Sequence, residues 1–275
     1  MSYLYDLHTH SDCSDGQLAP ADLVALAIKN GVDVLALTDH DTLSGIDRAI
    51  VAAGDALKII PGIELSAQWS GRNIHIVGLN VDVRHKPLQQ AVKEQCAIRD
   101  IRAVTIADRL RKAGIKGALE GAKHYAKGES VGRPHFAQYL VEAGYVSSFA
   151  QAFKRYLGAS KAGDVKHHWP SADTVVSWIN AAGGVAVLAH PDKYDLTRTT
   201  LYNLVQAFVD AGGQALEVVS GRQTTAVTAK LLRVAQDFSL LASCGSDFHS
   251  TTNAWQSPGI MSPLPDGCKP VWEAW

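Results

Sequence analysis

The chain is poor in cysteine. Its 275 residues include only Cys13, Cys96, Cys244 and Cys268, and no two stand at C-x-x-C spacing. That argues against a thiolate zinc site or a disulfide framework. No apolar run approaches the ~18 residues that a membrane span needs. No basic stretch followed by an apolar segment opens the chain, so no export signal is expected, and a reducing cytoplasm is the expected setting. There is no G-x-S-x-G elbow to present a serine nucleophile. Internal repeats and low-complexity segments are missing as well. The net charge of -1 decides nothing about an anionic partner at whole-chain level. What remains is 47% hydrophobic and 19% charged. Such a chain can bury a large core and still carry an extra module.

Against this background, metal-ligand residue types are conspicuous, and most follow a short apolar run. They occur as His8-Thr9-His10, Ser14-Asp15-Gly16, Thr38-Asp39-His40-Asp41, Gly62-Ile63-Glu64, His75, Ala189-His190-Pro191 and Gly245-Ser246-Asp247-Phe248-His249. Side chains alternate along a strand, so His-x-His aims both imidazoles to one side. Ligands at the ends of successive strands converge on the catalytic face of an α/β barrel. A carboxylate such as Glu64 can bridge two cations. Nitrogen and oxygen ligands without sulfur favour Mn²⁺, Fe²⁺ or Zn²⁺ over Mg²⁺ alone, because imidazole suits hard Mg²⁺ poorly. Asp39 and Asp41 are expected to orient or cap rather than ligate. Cys13 and Cys244 are expected to fill gaps near the barrel mouth.

Patterning predicts strands near 3–7, 34–38, 59–64, 74–79, 185–189, 215–219 and 240–244. Gly71-Arg72-Asn73 suggests a hairpin turn. Helices are expected at 21–30, 44–57 with Ser44 as N-cap, 88–113, 134–143, 149–156, 174–182, 201–211 and 225–237. The strands number seven, short of the usual eight. The fold class is therefore α/β, a barrel-like array with a helical insertion of roughly a hundred residues after the fourth strand. We divide the chain into a barrel, 1–85 and 170–275, and a helical insertion, 86–169. Residues 99–168 carry 13 Lys/Arg against 6 Asp/Glu, a net of +7, and the remainder carries -8. A basic insertion over an acidic metal barrel suits an anionic substrate. Trp255, Trp272 and Trp275 are expected to pack the C-terminal tail onto the barrel. His85, His124, His167 and His168 are expected at the surface.

The ordered set of ligand fragments resembles the polymerase and histidinol phosphatase (PHP) superfamily, and the motifs span residues 8 to 249. The resemblance implies a distorted (β/α)₇ barrel holding up to three divalent metals, Mn²⁺ favoured. It implies that His8, His10, Glu64 and Asp247 hold one metal, Glu64, His75 and His190 a second, and Asp15, His40 and His249 a third. Several relatives have His at the position of Asp15. Gly132-Arg133-Pro134-His135 resembles a segment of the nucleotide-cleaving branch, and the long insertion is shared with it. This implies a phosphoesterase acting on a 3′,5′-bisphosphate nucleotide or on the end of a short single-stranded RNA, through a hydroxide held by two metals. Arg133, His135, Lys161 and Arg222 are the expected substrate contacts, with Arg222 and His190 at the reacting centre. Lys166 is a further basic candidate. Histidinol-phosphate phosphatase, amidohydrolase and a non-catalytic PHP module are the competing readings.

Overall fold

A computed structural model describes residues 3–127, 130–165, 169–252 and 256–275. Lys166, His167, His168 and Trp255 lie outside the described residues. Seven strands form one sheet in chain order: β1 (Tyr5–Thr9), β2 (Val34–Leu37), β3 (Lys58–Trp69), β4 (Arg72–Leu79), β5 (Val185–Leu188), β6 (Ala215–Ser220) and β7 (Leu241–Gly245). β4 runs antiparallel to both β3 and β5, and every other pairing is parallel. A bridge between Thr9 and Phe248 brings the last strand's exit back to the first. The sheet is thus nearly closed into a barrel, the distorted seven-stranded form expected.

Packing follows the two-residue period of the strands: successive side chains join different clusters. Leu7, Val34, Ala36, Ile60, Val77, Leu79 and Val187 form an interior cluster, and Val271 joins it. Trp272 stacks on Tyr5 at 3.8 Å, and Trp275 packs against the same cluster, so the tail docks onto the barrel as expected. The outward residues meet helices. Leu35 and Leu37 pack with α1 (Pro20–Lys29) and α2 (Ile46–Ala53). Ile76, Leu188 and Leu216 pack with residues of α7 (Ala172–Ala181), α8 (Arg198–Asp210) and α9 (Thr225–Asp237).

Between β4 and β5 lie α3 (Lys86–Lys112), α4 (Ala118–Tyr125), α5 (Arg133–Glu142), α6 (Phe149–Ala152) and then α7. Ala103, Ile106, Leu110, Phe136, Leu140 and Leu157 give α3–α6 an apolar cluster of their own. α6 is N-capped by Ser148 and runs on into a π-helical turn, Phe153–Leu157.

Three local expectations fail for physical reasons. Ser44 does not cap α2; its N–H is taken by Thr42 Oγ1, and the helix begins two residues later behind Gly45. The hairpin turn is Ser70-Gly71, one residue earlier than expected, with φ of 47° and 74°. A two-residue loop with both central φ positive matches strand twist, and glycine enters that region without strain. β3 extends to Trp69 because it pairs with β4 along the whole hairpin. α4 is a helix the patterning does not predict, since it is only eight residues long and has Gly121 at its middle.

All four cysteines are free. Cys13 and Cys244 are buried near the barrel mouth, consistent with gap filling. Among the described residues no helix is long and apolar enough to cross a membrane.

Candidate metal centre

The ligand-type residues arrive from six strands and the segments that follow them. His8 lies on β1, with His10 and Asp15 just beyond it. His40 follows β2 and bridges to Glu64 on β3. His75 sits on β4, opposite Ser66 of β3. His190 follows β5, and Asp247 and His249 follow β7. Close strand approach is built in at Gly245, where a Cβ would lie 2.2 Å from that of His8. Asp41, His190 and Asp247 all have left-handed backbone, with φ of 53°, 30° and 51°. Non-glycine residues pay for that conformation, and such strain gathers at functional sites.

Glu64 is fully buried at the centre of the constellation. Its Oε1 lies 2.9 Å from His75 Nδ1 and 2.9 Å from His190 Nε2. Its Oε2 lies 3.2 Å from His8 Nε2, 3.3 Å from His10 Nε2 and 2.9 Å from His40 Nδ1. Asp247 Oδ1 lies 3.6 Å from His8 and 3.3 Å from His10. Asp15 reaches His249 at 3.3 Å and His40 at 3.7 Å. Ligands about 2.1 Å from a tetrahedral ion stand about 3.4 Å apart, so these separations fit shared cations.

The orientation of the atoms says the same. His8 Nε2, His10 Nε2, His40 Nδ1, Asp15 Oδ1 and Glu64 Oε2 are buried, and none has a hydrogen-bond partner. Buried polar atoms are ordinarily satisfied. Five orphans facing one another fit divalent metal ions. By proximity the groups are His10, Asp15, His40 and His249; His8, His10 and Asp247; His8, Glu64 and His190; and His40, Glu64 and His75. They overlap the expected grouping without reproducing it: His75 falls with His40 rather than with His190.

Electrostatics points the same way. Burial works to raise the pKa of the Glu64 carboxyl, but His40, His75 and His8 outweigh it and hold the group well below the usual range. Asp247 is likewise held down against burial by His8 and Lys193, and Asp15 by His40 and His249. Burial, seconded by His249, pushes His10 down to about 3. His249 is raised to about 10: burial opposes this, and Asp15 and Asp247 prevail. The carboxylates demand positive charge, which protons on some imidazoles supply in part. Divalent cations would supply it in full.

The supports behind the ligands are largely hidden in the sequence. Glu217 on β6 is buried; its Oε1 accepts from His8 Nδ1 at 3.0 Å and its Oε2 from the His190 N–H at 2.6 Å. Lys193 pairs with Asp247 Oδ2. Tyr194 Oη accepts from the His75 N–H at 2.8 Å. Asp39 and Asp41 brace the segments beside the ligands. Asp39 accepts from the Ser11 N–H, Ser11 Oγ and Ser14 Oγ. Asp41 accepts from the Ser66 N–H and Oγ, and forms a 2.6 Å ion pair with Arg99 of α3.

The expected substrate residues divide. Arg133 and His135 begin α5 beside the centre: a Cβ on Gly132 would lie 3.9 Å from Asp15. The Gly132 N–H donates to His135 Nδ1 at 3.0 Å, which places the neutral ring's proton on Nε2. Burial lowers the His135 pKa, so the neutral form is favoured. Lys161 is exposed and lines neither cavity at the mouth. Arg222 is also exposed and lines neither cavity, although Gly221 N–H donates to Gly245 O at 2.7 Å and ties its loop to the rim. His124, expected at the surface, is exposed yet lines the larger cavity. His85 is half-buried at the start of α3, not fully at the surface.

Two cavities meet at Asp15 and Pro134. The larger, about 800 Å³, runs between barrel and insertion past Tyr125, His135, Gln138, Phe149 and His249. The smaller, about 160 Å³, reaches His40, His75, Arg99, Arg102 and Arg133.

Comparison with known proteins agrees with this geometry. The PHP domain profile matches residues 6–92. The chain is 46% identical over 274 residues to a 5′-3′ exoribonuclease of Haemophilus influenzae, covering 99% of each. It belongs to the PHP family. This PHP chain is also 38% identical over 269 residues to a 3′,5′-nucleoside bisphosphate phosphatase of Chromobacterium violaceum, covering 97% of itself and 94% of that protein. A solved structure from Chromobacterium violaceum, described as an amidohydrolase with bound sulfate and no metal, superposes with a TM-score of 0.92. Identity there is 38%, over 98% of this chain and 95% of the other. The PHP protein is therefore a phosphoesterase, a hydrolase with a site suited to divalent metal.

Proposed function

We propose that this chain hydrolyses a phosphomonoester of a small nucleotide, a 3′,5′-bisphosphate nucleotide by preference, or acts at the 5′-phosphorylated end of a short RNA. One observation carries the reading. The N-terminus of α5 sets Arg133 and His135 directly beside Asp15, so the metal centre opens into a cationic mouth. A helix N-terminus also presents a positive dipole end, which suits phosphate. The names of the relatives support the substrate class, a nucleoside bisphosphate in one and RNA in another.

The ligands are His8, His10, Asp15, His40, Glu64, His75, His190, Asp247 and His249. Mn²⁺ is the favoured metal, with Fe²⁺ or Zn²⁺ also suited to imidazole and carboxylate. Bound divalent ions lower the pKa of water and polarise phosphoryl oxygens. The chain's own groups do the rest. Glu217 fixes the His8 ring so that Nε2 faces inward. His135 Nε2–H is the free donor of its ring and is aimed to bond a phosphoryl or leaving oxygen. Lys193 pairs with Asp247, and Arg133 adds positive charge in the smaller cavity. The 800 Å³ cavity gives the nucleoside or the following RNA a place beside Tyr125 and Phe149. Residues 86–169 act as an insertion over the barrel formed by 1–85 and 170–275. Four free cysteines suit a reducing cytoplasm.

The test is phosphate release from a panel: adenosine 3′,5′-bisphosphate, histidinol phosphate and a short 5′-phosphorylated RNA. The RNA is scored by nucleotide release. The bisphosphate or the RNA should be turned over best in Mn²⁺. Preference for histidinol phosphate would overturn the substrate class. Reaction of the bisphosphate in ¹⁸O-labelled water should place the label in the released phosphate; label in the alcohol would overturn attack at phosphorus.

A further inference from the structure

The two cavities beside the metal centre differ in width. One holds about 160 Å³ and the other about 800 Å³, and their linings share Asp15 and Pro134. Pockets that enclose a drug-sized molecule run to about 300–1,000 Å³. A nucleoside is of that size, so it enters the larger cavity and not the smaller. A polynucleotide whose end reaches the metals must therefore leave along the larger cavity.

Its two walls differ in chemistry. The barrel wall is polar: Gln17, Ser250 and Thr252 stand on the loops that carry Asp15 and His249, and the Gln17 N–H ties those loops by donating to His249 O at 2.8 Å. The insertion wall is aromatic. Tyr125 ends α4, with its ring edge-on to His124 at 5.1 Å. Phe149 opens α6 and is 45% exposed; of the exposed large hydrophobic side chains among the described residues, it alone lines this cavity. Charge is not what this wall offers. Lys127 is the only lysine or arginine on the described lining, and Asp12 already pairs with it at 3.0 Å. An aromatic face opposite a polar wall suits a flat ring with a polar edge better than it suits a phosphate. α5 adds a further polar group. His135 and Gln138 are three residues apart, hence neighbours on one helix face, and both line the cavity. The Gln138 amide is half-buried and has no hydrogen-bond partner among the described residues. It presents a donor and an acceptor side by side, the pattern that a base edge answers.

We propose that the larger cavity seats the nucleotide on the 3′ side of the bond that is cut, its base against Tyr125 and Phe149 and an edge of that base toward Gln138. The inference rests on the RNA half of the reading above and deepens it. In that reading water is added across one P–O3′ bond: phosphorus takes the hydroxyl group and O3′ takes the proton. A 3′,5′-bisphosphate and a 5′-phosphorylated strand lose the same bond. They differ in what the phosphorus keeps, no further group in the first and the following nucleotide in the second. The aromatic wall thus sets how much the chain gains from a strand over a mononucleotide. Stacking on aromatic rings tolerates every base, as removal of successive nucleotides requires.

The experiment uses adenosine 3′,5′-bisphosphate, 5′-phosphorylated diadenylate, and the same dinucleotide without its second base. All three release adenosine 5′-monophosphate, so one assay in Mn²⁺ serves wild type, Y125A, F149A and F149W. The advantage of the diadenylate over the bisphosphate in kcat/KM should fall at least about fivefold in Y125A and in F149A, the lower end for one stacked base. F149W keeps a stacking face and should keep the advantage. Removing the second base should cost wild type a like factor, and should cost the alanine variants less than about twofold, because the two losses remove one contact. An unchanged advantage in both alanine variants, or losses from base and side chain that simply multiply, would overturn the seat. Equal loss on the bisphosphate would place the two rings against the released nucleoside and overturn it as well. A second arm does not depend on turnover. Diadenylate with O3′ of the scissile bond replaced by a methylene group, which water cannot cleave, is titrated calorimetrically into the metal-loaded proteins, with and without the second base. That base should tighten binding to wild type at least about fivefold, and Y125A and F149A should lose the gain. If wild type cleaves none of the substrates but shows this gain and its loss, the proposed reaction falls and the seat stands. If the gain is missing in wild type or the same in the alanine variants, the seat falls.

Discussion

Glu217 offers a sharp test because it touches the centre only through other residues. Its two oxygens serve two different donors, His8 Nδ1–H at 3.0 Å and the His190 backbone N–H at 2.6 Å. Glu217→Gln keeps the shape but converts one acceptor into a donor. If the amide oxygen stays on the His190 N–H, the amide NH₂ faces His8 Nδ1. The ring must then surrender its Nδ1 proton and carry one on Nε2, the atom that faces Glu64 and Asp247. If the amide is flipped, two N–H groups oppose each other at His190. Either arrangement spoils a ligand without removing it. Loss of such an orienting partner costs about 10- to 100-fold in metal affinity, or ~1.4–2.7 kcal/mol. Mn²⁺ titration by calorimetry, with phosphate release at saturating and limiting metal, reads the effect. Activity should fall steeply at limiting Mn²⁺ and recover in large part at saturation. An unchanged metal isotherm in a folded E217Q protein would refute the tautomer argument.

Glu64→Gln should remove more than half of the bound metal by elemental analysis and lower activity by at least about 10³-fold, because its carboxylate stands within 3.3 Å of five imidazoles. Chelation should abolish activity and lower the melting midpoint, since Glu64, Asp15 and Asp247 then lose their counter-charge; Mn²⁺ should restore both, and a midpoint indifferent to metal would refute the charge argument. Arg222→Ala should cost less than about tenfold in kcat/KM, the scale of a screened, exposed contact, with metal content intact; a loss of about 10²-fold would show that Arg222 turns inward during catalysis. Activity on a bisphosphate at limiting substrate should weaken as salt rises from low to high, because residues 99–168 carry a net +7; a flat profile would refute steering.

The barrel is legible in the sequence because its signals are local and repeated. Short apolar runs ending in His, Asp or Glu give both the strand and the face on which its end lies, so the residue pattern alone places His8, His40, Glu64 and His190. The antiparallel entry of β4 can be read from the hairpin turn, although its register is one residue off. Other features depend on tertiary partners. Glu217 lies inside Ala215–Ser220 as a lone carboxylate among apolar residues, and nothing nearby in sequence shows that His8 and His190 will meet it. Lys193 is one of 26 Lys/Arg until the His190 turn delivers it to Asp247. Arg222 is exposed and lines neither cavity. Its place after a strand suggests an inward side chain, but a loop position fixes the backbone at the rim and not the direction of a long, flexible arm.

The arginines of α3 carry a signal that composition conceals. Counted by charge, Arg99 and Arg102 are two more cations in a basic segment, and such a segment is ordinarily a solvated surface. Counted by phase, they fall on the stripe that Leu88, Ala91, Ile106 and Leu110 define as buried. A charge in register with a core is costly unless something answers it. Asp41 answers Arg99, which docks the insertion helix onto the strand ends that hold Glu64 and His40. No described side chain answers Arg102, which lies one helical turn further along. The acidic barrel and the basic insertion therefore do more than attract each other across solvent. Arg99 joins them through its internal pair with Asp41, and the next arginine on the same face lines the cavity beside the metal centre.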